Sequence, residues 1–146
     1  MKIMAVDYGD ARTGLAVCDR TETLASPVGI IEEKSMAKVA EKIVYATREF
    51  EVGLVVLGLP KNMDGSEGPR AQKTRKLGSI LENLLPVPVE YWDERSTTKS
   101  AEGLLSETGT FGKKRKQVLD AVAATVILEA YLARRRNMPP PAAGVR

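Results

Sequence analysis

Three strand-like apolar runs stand close together near the start of the chain, separated only by short polar turns. They span Lys2–Asp7, Thr13–Cys18 and Leu24–Ile31. Connections this short suit antiparallel pairing, so the pattern predicts a three-stranded meander. Pro27 falls inside the third run, and because proline cannot donate a ladder hydrogen bond, we expect that strand at an edge or with a bulge.

Helices alternate with strands after the meander. Ser35 is expected to cap the first helix and Pro69 to open the second, and the two later strands are Val52–Leu57 and Val87–Trp92. The apolar stripe of the second helix comprises Thr74, Leu77, Leu81 and Leu84. Parallel pairing of strands one, four and five through right-handed crossovers predicts an α/β fold with a mixed five-stranded sheet, ordered 3-2-1-4-5.

The last third of the chain is predicted to be helical. A short helix capped by Ser96, Thr97 or Thr98 is expected first, then a loop from Thr108 to Lys116 and a long helix. The proline-rich composition of 138–146 predicts a flexible tail behind one domain at 1–137.

Composition excludes several kinds of chemistry. The chain has no histidine, which rules out triads with a histidine base and histidine-ligated zinc. Cys18 is its one cysteine, so an intramolecular disulfide is impossible. No apolar run is long enough to span a bilayer, and the short apolar start runs straight into Asp7, so we expect a cytoplasmic protein.

Carboxylates at three separated places are the candidates for chemistry. They are Asp7 after the first strand, Asp93 and Glu94 after the fifth, and Asp120 among apolar residues of the last helix. Strand alternation predicts that only one of Asp93 and Glu94 reaches the same cleft as Asp7. Structural roles are the alternatives: a turn for Asp7, an ion pair with Arg95 for one strand-end acid, and a place in the first helical turn for Asp120.

The three acidic places predict an oxygen-only metal site. Without histidine or thiol ligands, the site suits Mg²⁺ or Mn²⁺, held by Asp7, Asp120 and Glu94. Two such ions can activate water and stabilise the leaving oxygen of a phosphodiester. Asp93 is kept as a further catalytic candidate.

Basic and glycine-rich segments are candidates for holding phosphates. The first 94 residues carry a net charge of −3 and the remainder +6, which would place a basic surface beside the acids. The guanidinium of Arg12 can donate two parallel hydrogen bonds to a phosphate. The glycines of the Gly58–Arg70 segment, which includes Asn62, allow the backbone to approach a phosphate closely. A basic run before the last helix could follow a nucleic-acid backbone or be merely solvated: Lys113, Lys114, Arg115 and Lys116.

Four ordered motifs resemble the bacterial YqgF family, also called RuvX or pre-16S rRNA nucleases. They are DYGDARTGLA at Asp7–Ala16, GLPKNMDGSEG at Gly58–Gly68, DERSTT at Asp93–Thr98, and DAVAA beginning at Asp120. The resemblance implies an RNase H-like three-layer fold related to the RuvC junction resolvases. It also implies nuclease activity in maturing the five-prime end of 16S rRNA, and a nucleic-acid partner such as structured precursor rRNA.

The resemblance also implies the site residues. The acidic site of the family falls on Asp7, the Asp93–Glu94 pair and Asp120, with Arg12 and Arg95 nearby and Arg95 a substrate-binding candidate. The expected assembly is a monomer or homodimer, with no membrane partner.

Three other functions remain open from the sequence. A Holliday junction resolvase could use the same metal site on branched DNA and should act as a dimer. The Asp-x-Gly segment also resembles the phosphate loop of actin-like ATPases, but those need two domains. A non-catalytic RNA-binding module for ribosome assembly is the third.

Overall fold

The structure, a computed structural model, describes residues 1–96 and 112–137, with side chains for all of these except Ser96 and 112–120. The short helix expected after Ser96, the start of the predicted 108–116 loop and the tail at 138–146 lie outside the described residues. Within the described residues, no helix combines the length and apolar character needed to cross a bilayer.

Five strands form one mixed sheet in the predicted order β3-β2-β1-β4-β5. β1 (Ile3–Asp7), β2 (Arg12–Cys18) and β3 (Ala25–Glu32) form the antiparallel meander. The register between β2 and β3 shifts beside Pro27, so the edge strand carries the expected bulge. The meander is therefore confirmed together with its irregular edge.

Two helical crossovers build the parallel half of the sheet. α1 (Met36–Glu49) leads into β4 (Leu54–Leu59), and α2 (Pro69–Leu84) leads into β5 (Val89–Asp93). The predicted cap Ser35 accepts a hydrogen bond from a backbone N–H in the first turn of α1. β1 pairs in parallel with β4, and β4 with β5, so these three strands end at one edge of the sheet. We call this the carboxyl edge.

A 3₁₀ turn at Glu94–Ser96 follows β5, and the final described element is α3 (Gly112–Asn137). The helix begins before its predicted start, because the stretch from Gly112 to Lys116 is helical rather than part of a loop. Lysine and arginine are good helix formers, and this propensity prevails over the loop signal of the glycine. Asp120 therefore stands well inside α3, not in its first turn.

The helices cover both faces of the sheet, which gives three layers. One core lies between the sheet and α1 and α2, and it includes Met4 and Val6 of β1. The other lies between the sheet and α3, and it includes Ile3 and Ala5. The strict alternation along β1 shows that both faces are buried, as expected for a central strand.

The prediction that Leu84 belongs to the buried stripe of α2 is wrong. Leu84 is 50% exposed, whereas Leu85 is 8% exposed and packs in the core. Leu85 follows Leu81 by four residues and so shares its face, while the chain leaves the helix at that point. The other predicted stripe residues of α2 are buried: Thr74, Leu77 and Leu81.

Candidate active site

Asp7 is the last residue of β1 and lies at the carboxyl edge, partly accessible to solvent. It continues the row of Ile3 and Ala5, which pack beneath α3. Because side chains alternate along a strand, Asp7 projects toward the α3 face. A carboxylate in such partly apolar surroundings is costly unless it is paired or binds a cation.

Glu94 lies on the same face, above the backbone of β4. It opens the 3₁₀ turn after β5, whose residue Trp92 pairs in register with Gly58. A Cβ atom built on Gly58 would stand 2.5 Å from Glu94 Oε1 and 2.5 Å from Ile127 Cδ1 of α3. The missing side chain at Gly58 thus leaves the space in which the Glu94 carboxylate lies.

The carboxyl groups of Asp7 and Glu94 share a hydrogen bond. Burial raises the pKa of Asp7 well above its usual value, and the charge of Glu94 and this hydrogen bond raise it further. The positive charge of Arg70 acts in the opposite direction. The two acids are therefore arranged to hold a proton or another cation between them.

The donor set of this pair fits a hard divalent cation. Both side chains offer carboxylate oxygens, which are the ligands that Mg²⁺ and Mn²⁺ prefer. Among the described side chains, no group of three or more potential metal ligands forms. The third predicted acid, Asp120, has a side chain outside the described part, so the described site consists of Asp7 and Glu94.

Asp93 is separated from this pair by the alternation of β5. Its carboxylate accepts hydrogen bonds from Arg95 Nε at 3.0 and 2.9 Å and from the Arg95 backbone N–H at 3.0 Å. This arginine lowers the pKa of Asp93. Arg95 also donates to the carbonyl of Met63 at 3.3 Å, so the ion pair ties the turn that carries Glu94 to the loop after β4. Of the two strand-end acids, Glu94 contacts Asp7 and Asp93 pairs with Arg95, which are the two roles that the sequence predicted without assigning them.

The backbone of Asp120 lies in α3, one turn before Ala124 and two turns before Ile127. Ala124 and Ile127 are buried against the sheet, and Ile127 packs beside Gly58. The predicted basic run also lies in α3, with side chains outside the described part: Lys113, Lys114, Arg115 and Lys116.

Arg12 and Asn62 lie near the carboxyl edge but not in the acid pair. Arg12 begins β2 opposite Glu32, and it lines a surface depression together with Ser35 and Lys38. The residues around that depression do not include Asp7. Asn62 donates from Nδ2 to Ser66 Oγ at 2.9 Å and so helps to close the turn of its own loop.

Lys73 is a residue near the site that the sequence reasoning missed. It is an exposed residue of α2, and with Arg70 it borders the turn that follows Asp7. The segment Pro69–Lys76 contains four cations and no acid, and a count of charge along this helix would have drawn attention to it. Arg70 itself stood at the end of the predicted phosphate-holding segment.

Comparison with known proteins identifies the family. The model of the family described as "RuvX: Holliday junction resolvase" matches residues 1–134. A Halothermothrix orenii protein named "Putative pre-16S rRNA nuclease" is 45% identical over 132 residues, covering 90% of this chain and 94% of that protein. A Ruegeria pomeroyi protein of the same name is 42% identical, covering 93% of this chain and 88% of that protein.

Two groups of solved structures share the fold. RuvC of T. thermophilus in complex with a Holliday junction substrate superposes with a TM-score of 0.60 at 15% identity, covering 97% of this chain and 99% of that one. The fowlpox virus resolvase in complex with Holliday junction DNA superposes with a TM-score of 0.55 at 13% identity, covering 92% of this chain and 99% of that one. The predicted RNase H-like fold is thus confirmed. Given the family model and relatives that match nearly end to end, the chain belongs to the RuvX family, also called YqgF, as its motifs predict.

Proposed function

We propose that the protein is a metal-dependent nuclease that hydrolyses phosphodiester bonds of structured RNA, and that it processes the five-prime end of pre-16S rRNA in the cytoplasm. The Asp7–Glu94 pair carries this proposal, because an acid that ends β1 and an acid that follows β5 meet at the carboxyl edge, where Gly58 leaves room for Glu94. The names of the curated relatives support the choice of RNA.

The proposed ligands of the metal are Asp7, Glu94 and Asp120, and the ion is Mg²⁺ or Mn²⁺. When bound, the metal supplies activation of water and stabilisation of the leaving oxygen, in a two-metal arrangement. The chain holds its part of the site by packing. The Glu94 carboxylate and Ile127 both pack over Gly58 of β4, and the Asp93–Arg95 pair fixes the turn that carries Glu94.

The proposed roles of the other residues follow from their charge and position. Arg70 offsets part of the negative charge of the acid pair when no cation is bound. Arg95 and Asn62 lie on the joined loop and turn beside the site, where they would contact phosphate groups of the substrate. Arg12 and the basic run at 113–116 would bind the nucleic-acid backbone farther from the scissile bond.

The test compares cleavage of precursor 16S rRNA by the wild type and by Asp7→Asn and Glu94→Gln, with Mg²⁺ or Mn²⁺. Glu51→Gln is the control, because Glu51 is an exposed acid before β4, at the opposite edge of the sheet. We expect the two site variants to lose cleavage while keeping the wild-type circular dichroism spectrum, and the control to cleave normally. Equal cleavage by all four proteins contradicts the proposal.

A Holliday junction resolvase is the second candidate, favoured by the description of the matching family and by the fold shared with two junction resolvases. Offering a four-way DNA junction in the same experiment separates the two, because a resolvase cuts the junction in preference to the RNA. If wild-type protein binds RNA but cuts neither substrate, the non-catalytic assembly module is the better account.

A further inference from the structure

Exposed cations of α2 border the candidate active site on the side away from Glu94. Arg70 and Lys73 are both exposed and stand one turn apart near the start of this helix. Both also line a cleft with Tyr8 and Gly9, the two residues that directly follow Asp7. The positive charge of this helix therefore begins beside the turn that leaves the acid pair.

The turn after β1 brings an acid to one of these cations. Lys73 Nζ lies 3.1 Å from Asp10 Oδ1, and the two side chains are 51% and 72% exposed. Together with Tyr8, Gly9 and Arg70, they line a small cleft of about 10 Å³. A space of this size holds about one water molecule.

The neighbouring cation Arg75 is held differently. Its guanidinium donates to both carboxylate oxygens of Glu67, at 2.5 and 2.7 Å, and lies 4.9 Å from the centre of the Tyr91 ring. Arg75 thus has a structural partner on each side. The Lys73–Asp10 contact is a single hydrogen bond between two exposed side chains, and such pairs are weakly held and readily exchanged.

We propose that Arg70 and Lys73 form a subsite for a backbone phosphate next to the scissile one, and that Asp10 occupies Lys73 in the free protein as an intramolecular substitute for this phosphate. The occupant is the sugar-phosphate backbone of the RNA, so the inference rests on the proposed function for its ligand. Binding of RNA exchanges the Asp10 carboxylate for a phosphate, and Asp10 thereby disfavours occupation of the subsite by weaker anions.

The test measures binding without cleavage. A fluorescently labelled RNA duplex with a single-stranded five-prime overhang is titrated in EDTA with wild type, Arg70→Gln, Lys73→Gln and Asp10→Asn. Lys73→Gln and Arg70→Gln should each weaken binding about tenfold at roughly 50 mM salt, because each removes one phosphate contact. Raising the salt to about 200 mM should shrink each deficit by roughly threefold, since one contact contributes about 0.9 to the slope of log affinity against log salt. Asp10→Asn should bind more tightly than wild type.

The chain offers a matched control pair. Arg20 and Glu51 form an exposed ion pair with N–O distance 3.4 Å and exposures of 77% and 72%, at the opposite edge of the sheet. Arg20→Gln and Glu51→Gln make the same charge changes away from the site and should leave affinity and salt slope as in the wild type.

The outcomes separate this inference from the proposed function. If Lys73→Gln and Arg70→Gln bind like their control Arg20→Gln, or Asp10→Asn binds no more tightly than Glu51→Gln, the subsite is wrong, even where wild-type protein cleaves RNA. If the binding pattern holds but the wild type cleaves nothing when metal is added, the subsite stands and the catalytic proposal fails.

Discussion

Replacing Gly58 by alanine should displace Glu94 and lower both stability and activity. The added Cβ would lie 2.5 Å from Glu94 Oε1 and from Ile127 Cδ1, and 3.1 Å from Glu94 Cδ. The two closest contacts are about 1 Å shorter than the roughly 3.5 Å at which nonbonded heavy atoms pack. Ile127 is 1% exposed and cannot move into solvent. Overpacking of this kind costs about 1–3 kcal/mol, so we expect Gly58→Ala to lose that much unfolding free energy.

A second substitution separates the two clashes. Ile127→Val deletes the Cδ1 atom that the new Cβ would meet, at a cost of about 0.5–1.5 kcal/mol when made alone. In the double variant Gly58→Ala/Ile127→Val, the stability loss should be less than the sum of the single losses. RNA cleavage should stay low, because the contact with Glu94 Oε1 persists.

The assay is urea unfolding by linear extrapolation, with cleavage rates measured on the same preparations. Gly78→Ala is the control, because a Cβ there meets Tyr91 on the other face of the sheet. It should destabilise the protein without changing the cleavage rate of the folded fraction. A Gly58→Ala protein with wild-type stability and cleavage would refute the close packing of Glu94 against β4 as the basis of the site.

Three further predictions concern other parts of the molecule. Glu22 binds the N-terminal amine and Arg135, and the hydrogen bond from Arg135 lowers the pKa of Glu22. The stabilisation that Glu22 contributes is therefore present above the unfolded pKa of about 4.3 and is lost as the pH falls through the lower folded pKa. Glu22→Gln should lose about 1 kcal/mol of unfolding free energy at neutral pH but not in acid, as measured by urea unfolding at each pH. Tyr131→Phe removes a 2.7 Å hydrogen bond to Glu90 and should cost about 1 kcal/mol in the same assay, and a loss below the fitting error would show that the bond adds nothing. Mn²⁺ at about 100 times its dissociation constant should stabilise wild-type protein by roughly 2.7 kcal/mol, and a similar gain in Asp7→Asn would contradict the ligand assignment.

Strand order and the edge that carries the acids could be predicted from the sequence. The turns between the first three apolar runs are too short for parallel crossovers, so these runs form an antiparallel meander. The helices between strands one, four and five are long enough for parallel crossovers. The place of Asp7 directly after the first strand predicts that its side chain lies at the end of that strand, which is the carboxyl edge. These expectations depend on local patterns and simple connection rules, which a single sequence contains.

The choice between Asp93 and Glu94 depends on a detail of the backbone. Alternation indicates that the two acids point to opposite faces, but the face of each follows from the register of β5 with β4 and from the 3₁₀ turn. The space for Glu94 depends equally on tertiary packing, since it lies over Gly58, where Ile127 of a helix distant in sequence also packs. The sequence shows the glycine and the acid, but not that they meet.

The cations of α2 show a different limit. The basic run at 113–116 is dense and stands out in the sequence, whereas the cations of α2, including Lys73, are spread over two turns. Their relation to Asp7 arises from the fold, which sets the start of α2 beside the turn after β1. A basic residue becomes a candidate for phosphate binding through its neighbours as much as through its charge.

Mapping of cleavage products tests the central claim most directly. Precursor 16S rRNA is incubated with wild-type protein and with Asp7→Asn, each with Mg²⁺ or Mn²⁺ and with EDTA, and the new RNA ends are mapped. The account predicts metal-dependent cuts in the five-prime precursor segment by the wild type and none by the variant. Intact RNA with the wild type, or the same cuts by Asp7→Asn, would contradict a metal-dependent rRNA nuclease that acts through Asp7.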